Sequence, residues 1–170
     1  MLNRQLPRNG FLLFELLVGL VLFSLLMILA VPPTHFLTKH LLSQEVHLLY
    51  GACFVAQSRA LVMHTTEKII FYPEKNSYTS NKCLYTLNSH SCFGTPLGSI
   101  GPEGDILHNK SPVTFPEKSI IFYPDGKTNA GSVYMRTTDN SCAYALTIGV
   151  GHTARVRIYR YEGNSWTLII

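Results

Sequence analysis

Glu15 is the only ionisable residue in an apolar run that extends from residue 11 to residue 31, and its chemistry is the first to need a reason. A carboxylate inside the hydrocarbon region costs at least about 2.5 kcal/mol on insertion scales, so it is read as functional and as requiring a partner. A second pattern lies near the end of the chain, where Arg155, Arg157, Tyr159 and Tyr161 alternate and would share one face of a strand. Two arginines followed by two tyrosines can grip phosphates and stack on bases, which makes Arg155 and Arg157 candidate nucleic-acid contacts. The same residues also serve as a solvated sheet face with amphipathic tyrosines and no ligand.

Four cysteines, Cys53, Cys83, Cys92 and Cys142, offer either disulfide or metal chemistry. Cys83 and Cys92 bracket a short polar segment and are the expected bridge, which would contribute roughly 2 to 3 kcal/mol by loop closure. For Cys53 and Cys142 a helix-to-sheet bridge and two buried thiols stay open as alternatives. No CxxC or HxxxH spacing is present, so the seven histidines read as scattered solvated side chains and no metal or cofactor is expected. Enzyme signatures are missing too: there is no GxSxG, no SxxK and no phosphate loop. Asp125, set between Pro124 and Gly126, reads as a turn residue rather than a catalytic acid.

These residues need elements to position them. At 170 residues the chain has room for one ordinary domain besides the apolar run, and 46% hydrophobic content with 14% charged residues excludes a polar, disordered linker. The formal net charge is +4, of which Arg4 and Arg8 supply two before Gly10, so the remainder is too weak for a global nucleic-acid argument. As a helix, residues 11–31 would span about 31 Å at about 1.5 Å per residue, enough to cross a bilayer once. The two arginines and the lack of acids among the first ten residues predict a cytoplasmic amino end and an exported remainder. A cleaved secretory signal is the competing expectation, but the run is too long, contains Glu15, and has a poor cleavage site at Ile28-Leu29-Ala30.

Pro32 and Pro33 predict a kink, after which residues 34–63 continue as a helix. In it Leu42, Val46, Leu49, Cys53, Ala56, Ala60 and Met63 recur at steps of four and three. The small residues towards the end of this stripe suit close packing on a sheet better than a coiled coil. From Ile69 onward the helical period disappears. Runs at 69–72, 82–87, 119–123, 132–136, 143–149, 154–161 and 165–170 are rich in β-branched and aromatic residues and predict strands. Pro124-Asp125-Gly126-Lys127 and Glu162-Gly163-Asn164 predict turns, and residues 89–116 a long irregular loop.

The order of basic leader, Gly10, Phe11, three apolar residues, Glu15, Leu16 and a long apolar helix resembles the class III signal of type IV pilins and type II secretion pseudopilins. The run Ser119-Ile120-Ile121-Phe122-Tyr123-Pro124-Asp125-Gly126-Lys127, followed by Gly131-Ser132-Val133-Tyr134-Met135, resembles the minor pilins grouped with pseudopilin H and FimT, and Arg59-Ala60 also suits that group. The resemblance covers the leader, the long helix and the final third of the chain. It implies an α+β, type IV pilin-like fold: a long transmembrane and amphipathic helix packed on a small antiparallel β-sandwich. The implied divisions are a leader at 1–10, a transmembrane helix at 11–31, its amphipathic continuation at 32–65 and an exported domain at 66–170.

The resemblance further implies cleavage between Gly10 and Phe11 by a prepilin peptidase, methylation of the new terminus, and assembly through Glu15. Implied partners are other pilins or pseudopilins and a bacterial inner membrane, with the domain on the far side. A secretion pseudopilus is the first implied machine, and a type IV pilus or DNA-uptake machine the second. A membrane-anchored exported binding protein is the rival of another class. Mass spectrometry of the mature protein is expected to find a methylated amino terminus at Phe11. An intact Met1 or a terminus after Ala30 would overturn that expectation.

Overall fold

A computed structural model describes residues 9–30, 34–96, 101–102, 104, 111–149, 155–162 and 165–170, with only the backbone described at 9–11, 29–30 and 34–35. The chain divides into two compact units, residues 1–36 and 37–170. The amphipathic helix therefore belongs almost wholly to the folded unit, and the compact boundary falls near Phe36 rather than at the helix end. The expected Pro32–Pro33 kink lies outside the described residues.

In the first unit, helix α1 (Asn9–Ala30) is apolar on every side, and its described large side chains from Leu12 to Ile28 are all exposed. Its one hydroxyl in that stretch, Ser24, donates from Oγ to the Val21 carbonyl at 2.8 Å, so the polar group is satisfied within the helix.

The second unit is built on helix α2 (Thr34–Met63). Leu42, Val46, Leu49, Cys53, Ala56 and Ala60 of the stripe are buried, and Met63, at the helix end, is exposed. His64 then leaves the helix with a left-handed backbone (φ 51°). By length and composition the segment Phe36–Met63 could cross a membrane. Its stripe, however, is closed over by strands, which is the signature of a core helix.

The strands form two antiparallel sheets. The first has the order β3 (Cys83–Thr86), β2 (Ser77–Ser80), β1 (Glu67–Tyr72), β5 (Ser119–Phe122). The second has the order β4 (Ser91–Phe93), β6 (Gly131–Thr137), β7 (Ala143–Ile148), β8 (Val156–Glu162), β9 (Ser165–Leu168). Alternate residues of both sheets meet the α2 stripe in one core: Ile69, Phe71 and Tyr78 from the first, Val133, Met135, Leu146 and Ile158 from the second. Phe71 joins the sheets directly, with its ring 6.1 Å from Tyr78 and 5.8 Å, edge-on, from Phe93.

Polar side chains tie the elements where the ladders stop. Asn129 accepts from the Ile121 amide at 2.8 Å and donates to the Ser119 carbonyl at 2.7 Å, pairing part of the β5 edge as a neighbouring strand would. Glu45 of α2 accepts from the backbone and side-chain nitrogens of Asn88, both at 3.3 Å. Asn76, at φ 44°, accepts from the Phe93 amide at 3.1 Å and so links the β1–β2 turn to the second sheet.

The coarse α+β class with two antiparallel sheets is what the sequence leads one to expect. Two strands were not expected: β2, with its short Ser-Tyr-Thr-Ser run, and β4, inside the predicted loop. Leu49→Ala is expected to lower the unfolding free energy of the full chain by about 2–5 kcal/mol, the usual range for a fully buried leucine. Denaturant unfolding followed by tyrosine fluorescence measures it, and a change near zero would mean that α2 is not a core helix.

Candidate functional site

Glu15 stands exposed on α1 among Leu12, Leu13, Phe14, Leu16 and Leu17, all of them exposed. Among the described residues it has no hydrogen-bond or ion-pair partner. Gly10 and Phe11 lie in the first turn of α1, with only their backbone described, and residues 1–8 of the expected leader lie outside the description. Position 15 follows position 11 by one helical turn, so both occupy one face. That is the geometry a carboxylate needs to reach a charge presented at the level of residue 11 by a neighbouring helix.

The arginine and tyrosine face is arranged differently from the expected base-stacking ladder. Tyr159 packs with Trp166 against Tyr134 and Ala145, forming a second small cluster on the side of the second sheet away from α2. Tyr161 lies 5.1 Å from Trp166, ring to ring, and Trp166 meets Tyr134 edge-on at 6.1 Å. The tyrosines are thus half-buried and engaged by their own sheet. Arg155 and Arg157 are exposed. They line a groove of about 410 Å³ with Tyr50 and Phe54 of α2 and Leu168 and Ile170 at the end of the chain. A cationic rim over apolar walls suits an acidic group carried on an apolar segment. Sequence reasoning missed the groove because its walls come from residues more than a hundred positions apart, and only the aromatic pair of half-buried Tyr50 and exposed Phe54, off the α2 stripe, hinted at it.

The structure has all four cysteines as free thiols and does not join Cys83 to Cys92, the expected bridge. The segment between the two is no short loop, because Cys83 begins an edge strand of the first sheet and Cys92 sits on the edge strand of the second. Cys53 is fully enclosed in the core, and burial pushes its thiol up to about 12 from an ordinary 9.0. Cys142 is buried beside Thr137, whose Oγ1 accepts from the Cys142 amide at 3.2 Å, and burial raises its thiol as well. Of the two alternatives for this pair, the structure therefore has the buried thiols.

No group of three or more histidine, cysteine or carboxylate side chains able to hold a metal occurs among the described residues. His47 donates from Nδ1 to the Ser43 carbonyl at 2.7 Å, and His40 meets Gln44 at 3.5 Å, so both are occupied along α2. His108 and His152 lie outside the described residues. Asp125 is a turn residue: its Oδ1 accepts from the Lys127 amide at 3.1 Å, and its Oδ2 lies 2.7 Å from Lys127 Nζ. Those bonds hold its carboxyl below the usual range. Gly126, at φ 82°, completes the turn by donating to the Tyr123 carbonyl at 3.0 Å.

No protein family, no curated protein and no solved structure matches this chain.

The thiol environments give a direct test. At pH 8 in native conditions Cys83, which is exposed, is expected to react with a maleimide at least about a hundredfold faster than Cys53, whose thiolate is suppressed by burial. Peptide mapping after timed labelling reads the ratio, and comparable rates at the two positions would contradict the enclosed core.

Proposed function

We propose that the chain is a minor pilin or pseudopilin subunit, most like pseudopilin H of type II secretion, that assembles through α1 and helps prime or cap a fibre. The observation that carries this reading is the carboxylate of Glu15. It sits one turn from Phe11 on a helix that is otherwise apolar and has no partner for it among the described residues. Removal of the leader after Gly10 would create an ammonium at Phe11, and a neighbouring subunit's terminus would then neutralise Glu15. Opposite charges about 4 Å apart attract by about 4 kcal/mol at an effective dielectric of 20, comparable to the cost of an unpaired carboxylate in lipid.

The role is assembly, with no reaction catalysed by this chain. The ion pair sets the axial register between subunits, because it is directional where apolar helix contacts are not. Those apolar contacts, from Leu12 onward, hold the helices together in the membrane and then in the fibre. The folded unit, on the far side of an inner membrane, faces outward and selects partners. Its long core helix and two antiparallel sheets are compatible with the pilin-like architecture that the residue pattern implies.

A second reading, a FimT-like pilus or DNA-uptake subunit, is favoured by the exposure of Arg155 and Arg157. The engagement of Tyr159 and Tyr161 with their own sheet weakens it. Glu15→Ala and Glu15→Gln are expected to yield protein that is inserted, processed and folded but is lost from crosslinked complexes with other pilins, by at least about tenfold if the pair is worth even about 1.4 kcal/mol. Site-specific crosslinking in the native host measures this. Normal complexes with either variant would leave an anchored binding protein as the better account.

A further inference from the structure

At the end of α2 the folded unit carries an open depression of about 550 Å³ that nothing described so far uses. Three cations line it, each from a different element: Arg59 from the last turns of α2, Lys68 from β1 and Lys82 from the turn between β2 and β3. The pairing of Ile69 with Ser80 puts Lys68 beside that turn, and Asn81 and Lys82 hold left-handed backbones (φ 50° and 64°) that make it tight. Two lysines are thus fixed near one another by strand register rather than by chance of side-chain reach.

The single acid in the lining is Glu67, whose Oε1 is 3.6 Å from Arg59 Nε. That separation is an ion-pair distance and too long for a hydrogen bond. Arg59 Nε is closed off from solvent and has no hydrogen-bond partner. One carboxylate against three cations leaves the hollow with an excess of two positive charges. Thr65, Thr66 and Asn81 add hydroxyl and amide donors to the same lining. Three cations and hydroxyl and amide donors that converge on one concavity against a single carboxylate are matched by an oxyanion.

We propose that this depression binds a phosphate group. Its bearer is either a small phosphorylated solute or a lipid headgroup, and the chemistry that recognises it is the same. The site is independent of α1 and of how subunits assemble.

The test uses the full chain, labelled with nitrogen-15, in micelles of an uncharged maltoside at low salt. Titration with inorganic phosphate is expected to shift the amides of Thr65, Thr66 and Asn81 saturably, with a Kd on the order of 1 mM. The double variant Lys68→Gln with Lys82→Gln is expected to bind about tenfold more weakly, and binding should fade as added salt screens the charges. Lys75→Gln with Lys127→Gln removes the same charge elsewhere and should leave the affinity unchanged, while the dispersion of the spectra reports that both variants are folded. A parallel titration with dihexanoyl phosphatidylglycerol separates the sources: tighter binding than inorganic phosphate assigns a headgroup, and equal or weaker binding assigns a soluble phosphorylated molecule. No saturable shift with either probe, or equal loss in the two double variants, would overturn the proposal.

Discussion

The folded unit depends on one seam, the buried stripe of α2 from Leu42 to Ala60. The stripe is graded: Leu42, Val46 and Leu49 are bulky, while Cys53, Ala56 and Ala60 are small. Small side chains at that end leave room for large neighbours, and the same core holds the rings of Phe71, Tyr78 and Phe122. Neither sheet could bury its inner face alone, since four or five short strands with one apolar face need a cover. Both sheets share the same cover. That is why strands as distant as β1 and β8 contribute to a single core.

A helix apolar on all sides has the opposite requirement. The described side chains of α1 find no cover within their own unit, and on the assembly reading lipid or other helices supply it. The back-bonded Ser24 hydroxyl fits such surroundings, because it removes the one polar group between Leu16 and Ile28 from any need for water. Glu15 cannot be satisfied that way. A carboxylate has no donor to offer its own helix, and its acceptors must be met from outside. On that reading the two helices divide the work: α2 completes an internal core, and α1 is completed only by something external that pairs with it.

How much of this was legible in sequence follows from the period of each signal. The α2 stripe could be read residue by residue, because a helical repeat over seven positions has few rival interpretations, and only Met63 fell outside the buried set. Strands rich in isoleucine, valine and tyrosine were also legible. β2 was not, because its two serines are buried by ladder partners rather than by their own hydrophobicity, and β4 is only three residues long. The path of the chain between Cys83 and Cys92 was illegible for a related reason. Sequence proximity suggested one loop, whereas the chain passes there from one sheet to the other. At the arginine and tyrosine strand the alternation was legible, but Trp166 and Tyr134, which decide what the tyrosines do, come from neighbouring strands.

On the assembly reading, α1 cannot by itself choose partners. Apolar contact is non-directional, and a carboxylate at one turn from the terminus fits any neighbour that presents an ammonium at the same level. Choice must then rest on surfaces that differ from one subunit to another, and the folded unit has two of contrasting kinds. The groove under Arg155 and Arg157 combines charge with apolar walls, so it discriminates by where an acidic group falls along a partner segment. The edge strand β3, with Cys83, Leu84, Tyr85 and Thr86 all exposed, offers backbone pairing that is nearly blind to sequence. A selective interface is better built on the first than the second, because misplacing a charge against an arginine costs more than shifting a strand by two residues.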